Sequence, residues 1–123
     1  MNDRERVLDR MYAAFNARDI ETVLAALHAQ VDWPNGWEGG RILGRDGVRD
    51  YWTRQWAAID PAVYPLGYRA EPDGRLAVEV RQRVHDLEGK LLFDGIVQHV
   101  YRFRDGLVDA MEIEKASTKL PKK

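Results

Sequence analysis

The chain has 123 residues, 45% of them hydrophobic, which is enough for one domain with a single sizeable core. Its 19 Lys and Arg residues against 20 Asp and Glu residues give a formal net charge of -1, and this balance argues against a nucleic-acid partner. Cysteine is absent, which excludes disulfides, thiolate nucleophiles and cysteine-bound zinc. No apolar stretch approaches the roughly 20 residues that a membrane span requires. The composition therefore predicts a cytoplasmic protein without a membrane partner.

Helical spacing marks the start of the chain. Apolar residues within 7–15 share one face of a first helix, and Asn2 or Asp3 is its expected N-cap. A second helix is expected from its capping residue Asp19 to near His28.

A short strand, a loop and a third helix are predicted next. Residues 31–34 form an apolar strand that ends at a proline, and the glycine-rich residues 35–40 predict a loop. The third helix repeats its apolar side chains every three or four residues and ends at Asp60-Pro61. The repeated side chains are Val48, Trp52, Trp56 and Ile59.

From residue 62 onward the apolar period changes from about 3.6 to 2, which indicates strands. Turn sequences separate four strand segments, at residues 62–71, 75–87, 90–104 and 107–115. We therefore predict an α+β fold, with helices packed on a curved antiparallel sheet. Residues 1–115 form its single domain, and residues 116–123 form a Lys-rich tail.

Turn geometry predicts which residues lie opposite each other in the last two hairpins. A two-residue turn at Asp105-Gly106 places Arg104 opposite Leu107. The pairs that follow are His99 with Glu112, Tyr101 with Ala110, and Arg102 with Asp109. A two-residue turn at Glu88-Gly89 in turn gives the pairs Leu87 with Lys90, Arg83 with Asp94, and Val84 with Phe93.

These registers divide the sheet into a core face and a mixed outer face. The outer face carries an aliphatic patch that is surrounded by charged side chains. Such a patch predicts a protein partner, and because the simplest partner is a second copy, we expect a homodimer through this face. The patch consists of Leu92, Ile96, Val100, Met111 and Ile113.

Several motifs together carry a family resemblance. They are the two N-terminal helices, the segment Val31-Asp32-Trp33-Pro34, the helix start at residues 44–52 and the run of long hairpins, with residues 15–19 and 101–106 the most recognisable. In this arrangement the chain resembles the nuclear-transport-factor-2-like superfamily, in its SnoaL-like, ketosteroid-isomerase-type branch. The resemblance implies a cone-shaped α+β roll of a bent sheet and three helices, a pocket inside the cone and commonly a homodimer.

The ketosteroid isomerases of this superfamily use an aspartate base and an oxyanion hole made of a tyrosine and a protonated aspartic acid. When the sequences are aligned, these three positions fall on Trp33, Met11 and His99. Asp32 and Tyr12 lie one residue from the positions of the base and the tyrosine. The resemblance thus implies a pocket with different chemical groups.

His99 is the foremost catalytic candidate. It lies in an apolar row and faces Glu112 in the predicted register, and an imidazole oriented by a carboxylate can act as a general acid and base. The alternative is a structural hydrogen bond that satisfies two buried polar groups. Tyr12, or alternatively the indole N–H of Trp33, is the candidate for polarising a carbonyl group. Asp32 is a candidate base at the mouth, or else a solvated turn residue.

Aromatic residues dominate the expected pocket wall. They can stack on a flat apolar ligand and offer indole N–H donors to it. For Trp52 and Trp56, ordinary helix packing is the stronger explanation. The complete predicted lining is Met11, Trp33, Trp37, Trp52, Trp56, Val80, Phe93, Val97 and Tyr101.

The motifs predict neither a metal nor a cofactor. The three histidines lack HxH and HExxH spacing, and the glycine-rich loop lacks the lysine and serine of a P-loop. Two hypotheses remain. The first is a cofactor-independent isomerase, cyclase or lyase that moves a proton on a small, apolar, carbonyl-bearing substrate. The second is a non-catalytic ligand-binding or dimeric scaffold protein of the same fold.

Overall fold

Three helices and six strands make up residues 1–115, the part of the chain that the structure, a computed structural model, describes. The predicted tail over residues 116–123 lies outside the described residues. The elements are α1 (Asp3–Asn16), α2 (Ile20–Ala25), β1 (Leu27–Pro34), β2 (Arg41–Leu43), α3 (Arg45–Ala58), β3 (Ile59–Ala70), β4 (Leu76–Asp86), β5 (Leu91–Arg104) and β6 (Leu107–Lys115). None of these helices is both long enough and apolar enough to cross a membrane.

Polar side chains set the starts of the first two helices. Asn2 accepts a hydrogen bond from the backbone N–H of Glu5, and the Glu5 carboxylate accepts one from the backbone of Asn2, which forms a capping box. Asp19 caps α2 with its side chain, as predicted. This helix ends at Ala25 rather than near His28 because the chain already enters β1 at that point.

The six strands form one curved, unclosed sheet in the order β2-β1-β6-β5-β4-β3. All neighbours pair antiparallel except β1 and β6, which are parallel. The α+β class with a curved sheet is therefore confirmed, and the sheet is mixed rather than antiparallel throughout, because β1 and β6 are parallel. The parallel pair joins the first strand to the last, so no single turn connects the two strands and sets their relative direction.

The turn at Asp105-Gly106 has the predicted geometry. Asp105 and Gly106 have φ angles of 55° and 79°, which is the positive pair that a type I′ turn requires. Arg104 lies opposite Leu107, as predicted.

A β-bulge follows almost at once in β6. Phe103 pairs with Val108, but Arg102 pairs with Ala110, so Asp109 is an extra residue without a partner in β5. A bulge of one residue turns every later side chain of the strand to the other face. The rest of β6 is therefore displaced by one position relative to the prediction.

This displacement reassigns the end of β6. His99 lies opposite Ile113, and Tyr101 lies opposite Met111. The predicted pairs His99 with Glu112, Tyr101 with Ala110 and Arg102 with Asp109 are therefore wrong. Met111 and Ile113 share a face with His99 and Tyr101, and their assignment to the outer patch is also wrong.

The β4–β5 hairpin has the predicted register over most of its length, although its turn differs from the predicted one. The pairs Arg83 with Asp94 and Val84 with Phe93 are confirmed. The turn itself is longer than predicted, since the backbone N–H of Asp86 donates to the carbonyl of Lys90 at 2.8 Å and Leu87 does not pair with Lys90. Between the pairs His85 with Leu91 and Val84 with Phe93, the strand β5 has one extra residue, Leu92. This bulge compensates for the longer turn and restores the predicted register.

The core lies between the helices and the inner face of the sheet. Removing a large aliphatic side chain from such a core costs about 2–5 kcal/mol. The completely buried core side chains are Leu8, Val23, Leu27, Val31, Val48, Leu76, Val78, Val80, Tyr101 and Val108.

The outer patch is smaller than predicted. Leu92 is 52% exposed and Ile96 is half-buried, but Val100 is covered by its own chain. Only Leu92 and Ile96 therefore remain as apolar side chains of this patch with free surface.

Candidate functional site

A cavity of about 550 Å³ lies between the helices and the inner face of the sheet. Its volume is in the range of small-molecule sites. Its wall is mostly apolar and aromatic. These lining residues are Met11, Tyr12, Phe15, Val23, Trp33, Pro34, Trp37, Tyr51, Trp52, Ile59, Val63, Val84, Tyr101, Met111 and Ile113.

A hydrogen-bonded trio of Tyr12, His99 and Tyr101 forms the buried polar group of this wall. The Tyr12 hydroxyl lies 2.8 Å from Nδ1 of His99 and 2.7 Å from the Tyr101 hydroxyl. The Tyr101 hydroxyl lies 3.4 Å from the same Nδ1. All three side chains are buried, and all three line the cavity. The other ring nitrogen of His99, Nε2, has no hydrogen-bond partner among the described residues.

Local geometry explains why these three side chains meet. His99 and Tyr101 are two residues apart on β5, so both point to the inner face of the sheet. Tyr12 lies on the broad buried face of α1, which also includes its neighbour Met11. The helix therefore presents both residues to the cavity, although they are rotated by about 100° from each other.

Burial keeps the trio uncharged near neutral pH. Loss of solvent lowers the pKa of His99 from 6.5 to about 4. Burial, together with the adjacent Tyr101, raises the pKa of Tyr12 well above its usual value. Burial also raises the pKa of Tyr101. The trio is thus a set of neutral hydrogen-bonding groups.

Glu112 takes part in a different interaction. It alternates with Met111 and Ile113 along β6 and borders the cavity without contacting His99. Its carboxylate accepts a hydrogen bond from Nη1 of Arg41 at 3.1 Å. The predicted His99–Glu112 unit therefore does not form.

Asp32 is also bound to Arg41 and lies outside the cavity lining. Its carboxylate accepts from Nε of Arg41 at 2.8 Å. The alternation of β1 explains the position, because Trp33 faces the cavity and its neighbour Asp32 therefore faces away. The structure thus does not bring Asp32 to the trio.

Arg41 closes a gap between β1 and β6. The last pair in this parallel ladder is Asp32 with Ala110. Beyond that pair, Nη2 of Arg41 donates to the backbone carbonyl of Asp32 at 3.2 Å and to that of Met111 at 2.9 Å. The guanidinium group thus replaces ladder hydrogen bonds at the cavity edge. Sequence reasoning missed this role, because it assigned Arg41 to no strand.

The tryptophans divide between the wall and the core behind it. Trp33 and Trp52 line the cavity and meet edge to face, with ring centroids 5.2 Å apart. Trp37 lies at the rim and is 40% exposed. Trp56 lies outside the lining because it stacks behind Trp52, at a centroid distance of 6.2 Å, and packs against Phe15.

Three other predicted lining residues lie elsewhere. Val80 is completely buried in the core, and Val97, which pairs with it, packs against the same core. Phe93 is 45% exposed, and its ring folds over Gly95 instead of reaching the cavity.

Polar residues at the wall were missed by sequence reasoning. Tyr51 and Gln55 are one helical turn apart on α3, and Nε2 of Gln55 donates to the Tyr51 hydroxyl at 3.1 Å. Gln82 lines the cavity from β4. It is two residues from Val80 and Val84 on the same strand face, so strand alternation was an available signal for it.

Residues 1–115 hold no group of three or more His, Asp or Glu side chains arranged to bind a metal ion.

The helices, the curved sheet and the internal cavity define an α+β protein of the nuclear-transport-factor-2-like class. Residues 8–111 match the family model of the SnoaL-like domain. The chain belongs to this family, as the sequence motifs predicted.

Solved structures show the same fold over nearly the whole chain. TerC, co-crystallised with polyporic acid, is 26% identical, with a TM-score of 0.80 over 93% of this chain and 92% of TerC. A candidate polyketide cyclase from Xanthomonas campestris pv. campestris is 21% identical, with a TM-score of 0.75 over 90% and 88% of the two chains. An LEH-like epoxide hydrolase from Mycobacterium tuberculosis is 19% identical, with a TM-score of 0.75 over 90% and 80%. No functionally curated protein matches the chain.

Proposed function

We propose that this protein binds a small, largely apolar carbonyl compound in its cavity and, without a cofactor, transfers a proton at the carbon next to the carbonyl group. Isomerisation and cyclisation through an enol both begin with this step. His99 and Tyr101 are the groups that meet the substrate, and Tyr12 connects them.

The trio of Tyr12, His99 and Tyr101 is the observation that carries this proposal. Burying three polar groups in one part of the wall has a desolvation cost. A cavity that only binds an apolar ligand does not require such groups. His99 lines the cavity, and its Nε2 has no hydrogen-bond partner among the described residues. This nitrogen is therefore available to a ligand. A neutral imidazole offers there either an N–H donor or a lone pair, depending on its tautomer.

Similar proteins support a ligand of this kind. TerC was crystallised with polyporic acid, a small-molecule ligand, and its fold covers almost all of this chain. The candidate polyketide cyclase extends the comparison to a protein assigned a cyclisation reaction. Both comparisons support a small organic substrate, and the substrate itself is inferred from the chemistry of the cavity.

A non-catalytic binding protein is the second candidate. The observation that favours it is the position of Glu112, whose side chain binds Arg41 instead of His99. A conventional dyad of imidazole and carboxylate is therefore missing from the described wall. In this case the trio would only orient the ligand by hydrogen bonds.

Deuterium exchange at the carbon next to the carbonyl group of a ketone distinguishes the two candidates. A panel of small cyclic ketones, including 2-tetralone, is incubated with the protein in D2O, and NMR follows the loss of the hydrogens next to the carbonyl. An enzyme accelerates this exchange, and His99→Gln reduces the acceleration by about 100-fold, the usual contribution of a general acid or base. Tyr64→Phe, which changes an exposed tyrosine outside the cavity, retains the wild-type rate.

Binding is measured on the same samples by calorimetry. A ketone that binds without faster exchange supports the binding protein and contradicts the enzyme. If no ketone of the panel either binds or exchanges, the proposed ligand class is wrong.

A further inference from the structure

The trio has two ways of arranging its protons, and this property deepens the proposed function, on which the inference rests. The Tyr12 hydroxyl has one proton and two neighbours, Nδ1 of His99 at 2.8 Å and the Tyr101 hydroxyl at 2.7 Å. It therefore donates to one neighbour and accepts from the other.

In the first arrangement, Tyr101 donates to Tyr12 and Tyr12 donates to Nδ1 of His99. The proton of the imidazole is then on Nε2. In the second arrangement, Nδ1–H donates to Tyr12 and Tyr12 donates to Tyr101. The Nε2 lone pair is then free, and the Tyr101 proton is available for another acceptor. Both arrangements are electrically neutral and use the same heavy-atom positions.

We propose that the trio is a neutral proton relay, which removes a proton from carbon at Nε2 of His99 and delivers a proton to the carbonyl oxygen from Tyr101 in the same step. The two ends of the relay both line the cavity, and the His99 and Tyr101 ring centroids are 6.1 Å apart. A single small substrate can therefore contact both ends.

The step conserves atoms and charge. It starts from the second arrangement, in which the Nε2 lone pair takes the proton from the carbon next to the carbonyl group. The C–H electron pair forms the carbon–carbon double bond of the enol, and the carbonyl oxygen takes the Tyr101 proton. Tyr101 takes the Tyr12 proton, and Tyr12 takes the proton from Nδ1. The product is a neutral enol, and the trio is left in the first arrangement.

The reverse step completes the cycle. Nε2–H returns a proton to carbon while the enol proton passes back through Tyr101 and Tyr12 to Nδ1. Return to a different carbon is isomerisation, and return after exchange of Nε2–H with D2O is isotope exchange. Neither direction requires a co-reactant.

A relay of this kind agrees with the surroundings of the trio. Abstraction by His99 alone would create an imidazolium ion in a buried site, where burial already lowers the pKa of His99 to about 4. The relay avoids this ion because Nδ1 releases its proton as Nε2 gains one. The charged groups that border the same cavity, Arg41 and Glu112, are bound to each other.

The relay is tested with 2-tetralone tritiated next to its carbonyl group, whose release of tritium to the solvent is followed in mixtures of H2O and D2O. For the wild type, several protons move in one step, so the rate plotted against the deuterium fraction of the solvent is curved. A straight line, which indicates a single moving proton, overturns the relay. This measurement requires no variant.

Tyr12→Phe removes the connection but leaves both ends of the relay in place. We expect the exchange rate to fall by about 100-fold, the plot to become straight and the dissociation constant of 2-tetralone to change little. A folded variant that keeps the wild-type rate and the curved plot overturns the relay while leaving the proposed function intact. A wild type that exchanges no ketone overturns the proposed function, and the relay with it.

Discussion

The Tyr12 hydroxyl lies 2.8 Å from Nδ1 of His99 inside the core, and the contact links the first helix to the central strand β5 over 87 positions of sequence. Because neither group is charged near neutral pH, the contact is an ordinary hydrogen bond worth about 1 kcal/mol. Its wider consequence concerns acid, because protonation of His99 would place a charge in a buried site.

Acid is expected to destabilise the protein through His99. The pKa of His99 is about 4 in the folded protein and 6.5 when the group is unburied. Between these values the unfolded chain binds a proton that the folded chain excludes, so stability falls as the pH decreases from 6.5 to 4. The predicted loss is about 3 kcal/mol, and it is complete below pH 4. Urea unfolding at several pH values measures it.

His99→Gln provides the comparison for this pH effect. The variant cannot titrate at this position, so its stability should depend less steeply on pH between 6.5 and 4. His28→Gln makes the same substitution outside the cavity and controls for loss of an imidazole. Identical pH dependence of the wild type and His99→Gln would show that His99 is solvated in the folded protein.

Arg41 is expected to stabilise the β1–β6 edge of the sheet. Arg41→Met removes the donors to two backbone carbonyls and two carboxylates, and we expect a loss of about 1–3 kcal/mol of unfolding free energy. Arg54→Met is the matched control, because Arg54 also holds two carboxylates, from Glu38 and Asp50, but on the surface. Urea denaturation of both variants should give the larger loss for Arg41. Equal losses would mean that the backbone hydrogen bonds add nothing.

Trp37 is expected to contribute mainly to ligand binding, and Trp52 mainly to stability. Trp37 is 40% exposed at the rim, so Trp37→Ala should weaken 2-tetralone binding by about tenfold with little change in stability. Trp52 is 3% exposed, and Trp52→Ala should cost about 3–5 kcal/mol of stability. Calorimetric titration and thermal unfolding separate the two effects. A large stability loss for Trp37→Ala would place its ring in the core.

Local signals predicted much of this fold, because they act through neighbouring residues. Asn2 and Asp19 cap helices through bonds to residues three positions away, and Asp105-Gly106 sets a turn by its own φ preference. The α+β class follows from the change of period near residue 62. Each of these features depends on only a few consecutive residues.

The features that sequence reasoning missed depend on distant contacts. The extra residue Asp109 in β6 follows no local rule, since Asp109 is not a glycine and its neighbours keep the strand period. That single bulge moved Glu112 away from His99 and brought Met111 to the cavity face. The partner that His99 does have, Tyr12, is on another element, and only the packing of α1 against the sheet brings them together.

We still expect a homodimer through the outer face, although fewer apolar residues support it than the sequence predicted. Leu92 and Ile96 keep free apolar surface there, and Ile96 lies opposite Arg81, which binds Asp94 beside it. An apolar centre with a charged border is typical of an interface between two copies. Light scattering at micromolar concentration should therefore give twice the mass of the chain, and Ile96→Lys should give a monomer.

The bulge in β6 supplies the control for this prediction. Ile113→Lys changes an aliphatic residue that is also partly exposed, at 45%, but on the cavity side of the sheet. In the observed register this variant is expected to stay dimeric while Ile96→Lys dissociates, because only Ile96 lies on the outer face. The opposite result would place the interface at the cavity mouth, and a monomeric wild type would remove the outer face from consideration.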